Sequence, residues 1–256
     1  MRLRMEFSYN GKDYSGYQIQ KGKCTVQGEI ENTLAVFFDT KINLIASGRT
    51  DTGVSALKQV AHFDVSKEVL LTKIPKITDK ELQGIAIRLN YMLTANIRIL
   101  SLSNADDNFH ARYNTKEKTY VYNFYLSPIE IPYLSQFCLW LQDRELNTDN
   151  MANALKVLEG SHDFSSFCAS NTEVKDKVRT IYDASICFNN LGYYSITIRG
   201  DGFLYNMVRI IVGTILDVGR GKLTPNDINR ILCAKDRRLA GKTVSSAGLV
   251  LQDVKY

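Results

Sequence analysis

The chain begins with a strict alternation of apolar and polar residues. The apolar positions are Leu3, Met5, Phe7 and Tyr9, and charged or small polar residues stand between them. A period of two places every second side chain on one face of a β-strand, so this segment predicts a half-buried strand. Asn10-Gly11 follows it and predicts a turn.

Other hydrophobic patterns predict a mixture of helices and strands. Apolar residues at intervals of three and four predict helices over 25–38, 79–92, 151–158 and 204–215, and Thr224-Pro225 resembles a capped start of another. Short apolar or alternating runs predict strands at 42–45, 60–65, 97–102, 120–124, 194–198 and 247–254. Because strands often follow strands, the order favours an α+β fold with antiparallel sheets. The polar run 104–108 is the candidate boundary between an N-terminal half, 1–105, and a C-terminal half, 106–256.

Composition places the chain among ordinary globular proteins. Of its 256 residues, 45% are hydrophobic and 23% are charged, which excludes intrinsic disorder and collagen-like structure. No apolar run reaches the ~18 residues that a membrane span requires. The segment Met1–Glu6 lacks the apolar core of a signal peptide. We therefore expect a cytoplasmic protein.

Charge and metal-binding residue types narrow the chemistry further. Lys and Arg exceed Asp and Glu by 32 − 27 = 5, a mild basic excess that permits a polyanionic partner such as RNA. The five cysteines form no closely spaced pair, which argues against zinc ribbons and predicts free, mostly buried thiols. The three histidines are also far apart in sequence, so histidine-based metal catalysis is disfavoured. The chain contains no glycine-rich phosphate-binding loop.

The segment Gly48-Arg49-Thr50-Asp51-Thr52-Gly53 is the densest chemical feature of the sequence. Glycines allow a sharp turn and a close approach of the backbone to a ligand. An Asp on such a loop can be a nucleophile, a general base or a metal ligand. It can also accept backbone hydrogen bonds that close a turn, and the hexapeptide alone favours that structural role.

Asp51-Thr52-Gly53 also spells the triplet of aspartic proteases. Those enzymes need two carboxylates that share one proton. A chain of this length would carry two triplets, and this chain has one. The residues before the Asp should be apolar, whereas Arg49 and Thr50 stand there. A protease is therefore a weak alternative, which a pepstatin-sensitive peptidase assay at acid pH would test.

Two further segments combine aromatic and basic residues. Tyr120-Val121-Tyr122 follows Phe109–Tyr113 and two lysines, a combination that suits stacking on nucleobases and contacts with phosphates. An amphipathic strand with tyrosines in the core explains the same pattern. In the apolar segment Phe203–Arg209, Arg209 adjoins the hydrophobic face and therefore needs a carboxylate or phosphate partner. Asp51 is one candidate for that partner.

In their order along the chain, these motifs resemble the TruA family of tRNA pseudouridine synthases. The family signature GRTDAGVHA corresponds to Gly48–Ala56, and the YDGxxYxGWQxQ pattern corresponds to Tyr9–Gln20. The motifs FHAR, KxYxY and FLYNMVR are intact at 109–112, 118–122 and 203–209, and a closing motif lies at Ala247–Leu251. The resemblance runs from about residue 3 to residue 254.

The resemblance implies an isomerase that converts uridine to pseudouridine in structured RNA without a cofactor or metal. The default target is the tRNA anticodon stem-loop at positions 38 to 40. The implied fold has two similar α/β halves whose antiparallel sheets join into one curved platform, with helices outside and an active-site cleft between the halves. The family members are homodimers, so a homodimer is expected.

The resemblance also implies roles for particular residues. Asp51 becomes the catalytic carboxylate, which would attack C1′, attack C6 or abstract a sugar proton, and Arg209 becomes its basic partner. Tyr120 would stack on the target base, and Leu249 would line the other side of the pocket. Arg49 would assist flipping of the base or fill the space it leaves. Lys12, Gln18 and Lys23, which follow the first strand, are candidates for RNA contact, and a solvated surface role stays equally open for them. For Arg179, a place in the active site and a contact with phosphates both stay open.

The match departs from the family at several positions. Thr52 replaces an alanine, Ser55 a histidine, Tyr17 a tryptophan and Asn10 an aspartate. None of these changes removes Asp51 or its implied partners, so the resemblance still implies an active enzyme. The departures leave open a paralogue that acts on another tRNA site or on ribosomal RNA. A non-catalytic RNA-binding or RNA-folding protein on the same scaffold is the alternative from a different class.

Overall fold

The computed structural model describes residues 1–170 and 174–256. The described chain forms two compact units, of which the first comprises Met1–Thr115 with Leu251–Tyr256 and the second comprises Lys116–Val250. The predicted domain division after residue 105 falls inside the first unit and stays a prediction about domains. No helix in the described ranges is long and apolar enough to cross a membrane.

Both units contain strands and helices. The strands are β1 (Arg2–Tyr9), β2 (Ile45–Ala46), β3 (Ser55–Asp64), β4 (Ile97–Ala105), β5 (Glu117–Leu126), β6 (Leu139–Leu141), β7 (Gly160–Asp163), β8 (Val178–Phe188), β9 (Tyr194–Gly200) and β10 (Leu249–Lys255). The helices are α1 (Val26–Phe38), α2 (Lys67–Leu71), α3 (Asp79–Met92), α4 (Thr148–Val157), α5 (Met207–Gly219) and α6 (Pro225–Ala234).

The first unit is built around β1. This strand pairs antiparallel with β3 on one side and with β4 on the other, and β2 pairs with β3. The part of β10 from Leu251 onward lies beside β3. The alternating apolar residues of β1 are buried, as its period-two pattern predicts. Helix α1 contributes a buried stripe with helical spacing, which consists of Val26, Ile30, Leu34 and Phe38.

The second unit has its own antiparallel strands and a buried helix. β9 pairs antiparallel with β5 and with β8, and β8 pairs antiparallel with β7. β6 adds a short parallel pairing to the end of β5. Helix α4 packs on β8 and against α5 and α6. Nearly all of α5 is buried, which explains why its sequence is apolar on every side.

The predicted α+β class is confirmed, because each unit combines helices with mainly antiparallel strands. The joining of the two halves into one platform with a cleft stays a prediction. The helix predicted at 79–92 is α3, Asp79–Met92. The helix predicted from residue 204 begins instead at Met207, because Asn206 has a φ of 60° and lies in the left-handed region, which a continuous α-helix does not accommodate.

Two other differences from the predicted elements have local causes. The strand predicted at 42–45 is confined to Ile45–Ala46, because side chains of α1 bind the backbone of Leu44 in place of a neighbouring strand. The Leu44 N–H donates to Glu31 Oε1 at 2.8 Å, and Gln27 Nε2 donates to the Leu44 carbonyl at 3.2 Å. Strand β8 was not predicted, because few of its side chains are buried.

The cysteines are free, as predicted, but the expectation of mostly buried thiols is wrong. Cys138 and Cys168 are buried, whereas Cys24, Cys187 and Cys233 are exposed. Cys24 lies in the loop before α1, Cys187 lies near the end of β8, and Cys233 lies on α6. These three positions are on loops and outward faces, where a small side chain is tolerated without burial.

Candidate active site

Asp51 lies in a loop, Ser47–Val54, that connects β2 to β3 and that we call the Asp51 loop. The Val54 N–H donates to the Asp51 carbonyl at 3.1 Å, which closes a four-residue turn. Gly53 occupies the third position of this turn with a φ of 78°. A type II turn requires a positive φ at its third position, which explains why a glycine occupies this place in the motif. The Asp51 side chain is half-buried.

Thr50 fixes the backbone immediately before Asp51. The Tyr9 hydroxyl and Thr50 Oγ1 are 2.8 Å apart in a buried hydrogen bond, and the Tyr17 N–H donates to the Thr50 carbonyl at 3.1 Å. Gly16 lies directly against this segment with a φ of 90°, and a Cβ atom there would be 3.0 Å from the Thr50 carbonyl oxygen. The end of β1 and the loop after it therefore contact the Asp51 loop and fix the position of its backbone.

Both ends of the Asp51 loop are also bound by side chains. The Ser47 hydroxyl donates to Gln59 Oε1, and Gln59 Nε2 donates to the Gly48 carbonyl at 3.2 Å. At the other end, Ser55 Oγ accepts the Gly11 N–H at 3.0 Å. Ser55, where the family signature has a histidine, thus has a structural role that its sequence position alone does not suggest.

Sequence analysis missed two residues that support this loop. The sequence placed Tyr9 at an apolar position of β1 and at the start of a motif, without a role in the loop, and it did not point to Gln59. A tyrosine on the core-facing side of a strand is itself a signal, because its hydroxyl needs a partner when it is buried. Burial raises the pKa of Tyr9 to about 12, so its hydroxyl stays protonated near neutral pH. Gln59 is fully buried.

Lys12 and Gln18 lie in the loop between β1 and α1, and both side chains are exposed. The Lys12 N–H donates to Asn10 Oδ1 at 3.1 Å, so the chain turns there through a side-chain contact typical of Asn. Arg49 is exposed as well and lies two positions before Asp51 in the Asp51 loop. The first unit therefore places four candidate residues on two loops that contact each other.

In the second unit, Tyr120 lies on β5 opposite Ile198 of β9. Its ring is half-buried and meets the Phe203 ring edge to face, with the centroids 5.2 Å apart. The contact gives the Tyr120 ring a defined orientation. Its neighbour on the same face, Tyr122, is fully buried and donates from its hydroxyl to the Ser245 carbonyl at 2.7 Å. The interpretation that the tyrosines of this strand lie in the core is thus correct for Tyr122, whereas Tyr120 is only partly buried.

Arg209 lies in the first turn of α5 and is half-buried. Its Nε donates to the Val244 carbonyl at 2.8 Å, and its Nη1 donates to Asn206 Oδ1 at 2.9 Å. These bonds fix the direction of the guanidinium. Asn206, which adopts the left-handed conformation before the helix, therefore serves both the helix start and the arginine.

Leu249 begins β10 and is only 6% exposed. Its position depends on Gly248, where a Cβ atom would be 2.2 Å from the Asn123 carbonyl oxygen. The Asn123 N–H donates to the Gly248 carbonyl at 2.8 Å. The Gly-Leu pair of the closing motif is thus explained by a close backbone approach to β5, which leaves no room for a side chain before Leu249.

Arg179 is the second residue of β8 and lies beside Gly202. Its Nη1 donates to the Asp176 carbonyl at 3.2 Å, so part of the guanidinium serves the local backbone. Within residues 1–170 and 174–256, no group of three or more His, Cys, Asp or Glu side chains could hold a metal ion.

Comparisons with known proteins point to one family. The family profile described as tRNA pseudouridine synthase matches residues 154–256. A relative from Geobacillus kaustophilus (strain HTA426) named tRNA pseudouridine synthase A is 41% identical over 100% of this chain and 94% of the relative. A relative of the same name from Bacillus subtilis (strain 168) is 43% identical over 100% of this chain and 99% of the relative.

Solved structures give a weaker likeness. An archaeal box H/ACA Nop10–Cbf5 complex matches with a TM-score of 0.38 and 12% identity, over 84% of this chain and 44% of that chain. A likeness of this size adds nothing to the assignment. The full-length relatives are sufficient by themselves: the chain belongs to the tRNA pseudouridine synthase A family and is a pseudouridine synthase, an isomerase.

Proposed function

We propose that the protein converts uridine to pseudouridine in the anticodon stem-loop of tRNA, at positions 38 to 40, with Asp51 as the catalytic carboxylate. The observation that carries the proposal is the end-to-end similarity to relatives named tRNA pseudouridine synthase A. The construction of the Asp51 loop supports it, because several buried contacts hold the backbone around this carboxylate.

The reaction rearranges bonds within one nucleotide. The bond between N1 of uracil and C1′ of the ribose breaks, the base turns, and a new bond joins C5 to C1′. The hydrogen on C5 leaves as a proton, and N1 ends with a proton in its place. The nucleotide gains and loses no electrons overall, so the proposal includes no redox partner.

Asp51 is suited to each of the three chemical routes that the sequence leaves open. An ionised carboxylate can add to C1′, add to C6 or take a proton from the sugar. All three need the carboxylate at a fixed distance from the ribose, and a fixed backbone contributes to such a position. We assign Arg209 as the basic group that keeps the carboxylate ionised and oriented, because opposite charge lowers the pKa of an Asp.

The target uridine has to leave its stack before any of these steps. Base flipping costs a few kcal/mol, which contacts with the flipped base and the phosphates offset. We assign Tyr120 to stacking on the uracil and Leu249 to the opposite side of the pocket. Arg49, exposed beside the catalytic residue, would fill the space that the base leaves. Lys12 and Gln18 would contact the RNA backbone from the neighbouring loop.

The oligomeric state and the compartment belong to the same proposal. The family resemblance supports a homodimer in which one RNA contacts both subunits, and it supports action in the cytoplasm, where tRNA is modified. Light scattering behind size exclusion would test the first point, since a dimer has twice the mass of the chain. A tagged protein followed by cell fractionation would test the second.

Release of tritium from the target base tests the proposed activity directly. Because C5 loses its hydrogen, tRNA transcribed with [5-³H]uridine should release tritium into water when the protein is added. The Asp51→Asn protein, whose amide cannot act as a nucleophile or base, should release none while still binding the tRNA. Equal release by both proteins would remove Asp51 from the chemistry, and no release by the unchanged protein would refute the activity on tRNA.

A further inference from the structure

The segment Phe109–Tyr113, which the proposed reaction does not use, carries a row of aromatic rings that leads from the core to the surface. The rings of His62 and His110 meet with centroids 4.9 Å apart, and those of His110 and Tyr113 are 4.2 Å apart at an angle of 31°. His62 is 1% exposed, His110 is half-buried, and Tyr113 is 76% exposed. The Tyr113 ring therefore packs against His110 and is otherwise open to solvent.

The ring that supports Tyr113 is itself fixed. His110 Nδ1 accepts the N–H groups of Arg112 at 3.1 Å and of Tyr113 at 3.3 Å. The Asn114 N–H donates to the His110 carbonyl at 3.0 Å, and Asn114 Oδ1 accepts the His110 N–H. These four bonds set the direction of the imidazole and the backbone that carries Tyr113.

The backbone beneath these rings is anchored in the first unit. The Ala111 N–H donates to His62 Nδ1 at 3.1 Å, and the Tyr256 hydroxyl donates to the Ala111 carbonyl at 2.7 Å. Arg2 Nη1 donates to the Phe109 carbonyl at 3.0 Å. Burial and the neighbouring charge of Arg2 lower the pKa of His62 to about 4, so its Nδ1 remains an acceptor near neutral pH. Tyr113 is thus an exposed aromatic side chain on a rigid support.

A flat, exposed and fixed ring is the surface on which an unpaired nucleobase stacks. Arg112, exposed next to Tyr113, offers a guanidinium whose planar fork fits a phosphate. Asp106 and Asp107 are exposed in the preceding turn and reduce the local positive potential. Stacking, more than charge, would therefore supply the affinity of this surface.

We infer that His110, Arg112 and Tyr113 form a base-stacking platform for one unpaired nucleotide of the RNA substrate, other than the uridine that is isomerised. The base stacks on Tyr113, and its phosphate contacts Arg112. The inference rests on the proposed function, because the RNA substrate supplies the nucleotide. A platform of this kind would position the RNA without touching the reacting atoms.

A second exposed tyrosine of the same unit provides the matched control. Tyr91 on α3 is 87% exposed, and within the described residues no aromatic ring packs against it. Its ring therefore has no fixed orientation, and ordering it on binding costs conformational entropy. Replacement of Tyr91 removes as much exposed aromatic surface as replacement of Tyr113 does.

The test measures binding of fluorescent unmodified tRNA by anisotropy, and in parallel kcat and KM for pseudouridine formation. We expect Tyr113→Ala to weaken binding by about fivefold or more, since one stacked base contributes ~1–3 kcal/mol. KM should rise to a similar extent while kcat at saturating tRNA stays unchanged. Tyr113→Phe and Tyr91→Ala should bind within about twofold of the unchanged protein. Arg112→Ala should reduce the slope of log affinity against log salt by about one.

Two outcomes would overturn the platform. Tyr113→Ala could bind tRNA as well as Tyr91→Ala does, or Tyr113→Phe could lose as much affinity as Tyr113→Ala, which would make the hydroxyl the contact. Thermal melting of each variant checks folding, and Tyr113→Leu, which keeps apolar surface without a π face, repeats the test if the alanine variant melts early. Failure of the proposed function can be distinguished from failure of the platform, because in that case the unchanged protein binds tRNA without forming pseudouridine.

Discussion

Two neighbouring loops of the first unit differ in the exposure of their candidate side chains, because Asp51 is half-buried whereas the candidates of the loop between β1 and α1 are exposed. The Asp51 loop is bound by other elements, through Tyr9 of β1, Gln59 of β3 and the backbone of Tyr17. The loop between β1 and α1, residues 10–25, also binds other elements, for example through the Gly11 N–H, which donates to Ser55 Oγ at 3.0 Å, and it has internal contacts such as Gln20 Nε2 to the Ser15 carbonyl at 2.8 Å. Its candidate side chains, Lys12 and Gln18, are exposed.

The difference corresponds to two kinds of task. A carboxylate that reacts with a ribose has to be placed to within a fraction of an ångström, because small displacements cost large factors in rate. A lysine that meets a phosphate acts over a longer range and tolerates movement. We therefore expect changes at residues that contact the Asp51 loop to lower kcat, and changes at the exposed side chains of Lys12 and Gln18 to raise KM.

Replacement of the carboxylate itself should have the largest effect. Asp51→Asn is expected to lower kcat roughly 10⁴-fold or more, as loss of a nucleophile or base does in other enzymes. Binding of tRNA should change by no more than about twofold, because the side chain is nearly isosteric. Single-turnover kinetics and anisotropy measure the two quantities. A variant that keeps substantial turnover would show that the fixed loop serves a purpose other than presenting Asp51.

The next largest effect is expected where the two loops touch. A Cβ atom on Gly11 would be 2.0 Å from the Val54 carbonyl oxygen, whereas one on Gly22 would have no atom within 4 Å. Gly11→Ala should therefore cost about 3 kcal/mol of stability and lower kcat roughly a hundredfold. Gly22→Ala, at a φ of 71°, should cost only about 1 kcal/mol from backbone strain and leave kcat unchanged. Equal effects in denaturant melts and kinetics would contradict this account of the contact.

Two buried tyrosines that differ in their hydrogen bonds provide a finer test. Tyr9→Phe removes the partner of the buried Thr50 hydroxyl, so it should cost about 1–2 kcal/mol of stability and lower kcat roughly tenfold. Tyr17 is 3% exposed, and its hydroxyl has no hydrogen-bond partner in the described residues. Tyr17→Phe should therefore leave kcat unchanged and raise stability by up to about 1 kcal/mol. Urea unfolding with kinetics on both variants would show whether the Tyr9 hydroxyl positions the loop.

The smallest effects are expected for the exposed side chains of the loop between β1 and α1. Lys12→Ala should raise KM about threefold at moderate salt, with kcat unchanged, and should reduce the salt slope of tRNA binding by about one. Gln18→Ala should raise KM less and leave the salt slope unaltered, because the amide carries no charge. A fall in kcat for either variant would mean that these exposed side chains take part in positioning the reacting groups.

Much of the fold could be predicted from periodicity, because burial on one face repeats along β1 and along α3. Periodicity failed where side chains replaced strand neighbours. Ile42 and Leu44 are buried at alternate positions, yet α1 side chains bind the Leu44 backbone and no strand forms there. It failed again at β8, which buries too few side chains to show a pattern.

The residues of the candidate site could be predicted from motifs, but the hydrogen bonds that hold the Asp51 loop could not. The resemblance identified Asp51 and its proposed companions, and their roles stay predictions. The bonds that hold the loop join residues far apart in sequence, such as Tyr9 with Thr50 and Gly11 with Ser55. No local sequence pattern predicts such pairs. A tyrosine at a core-facing position, whose hydroxyl needs a partner, was the one indication in the sequence.

The central claim is that Asp51, held in its fixed loop, isomerises uridine in tRNA. Carbodiimide labelling followed by primer extension tests it most directly, with unmodified total tRNA and ribosomal RNA incubated with the protein or with Asp51→Asn. The account predicts new stops at positions 38 to 40 of tRNA that are absent with the variant. Stops confined to other RNA sites would contradict the proposed target, and the absence of stops despite tight binding would contradict the proposed chemistry.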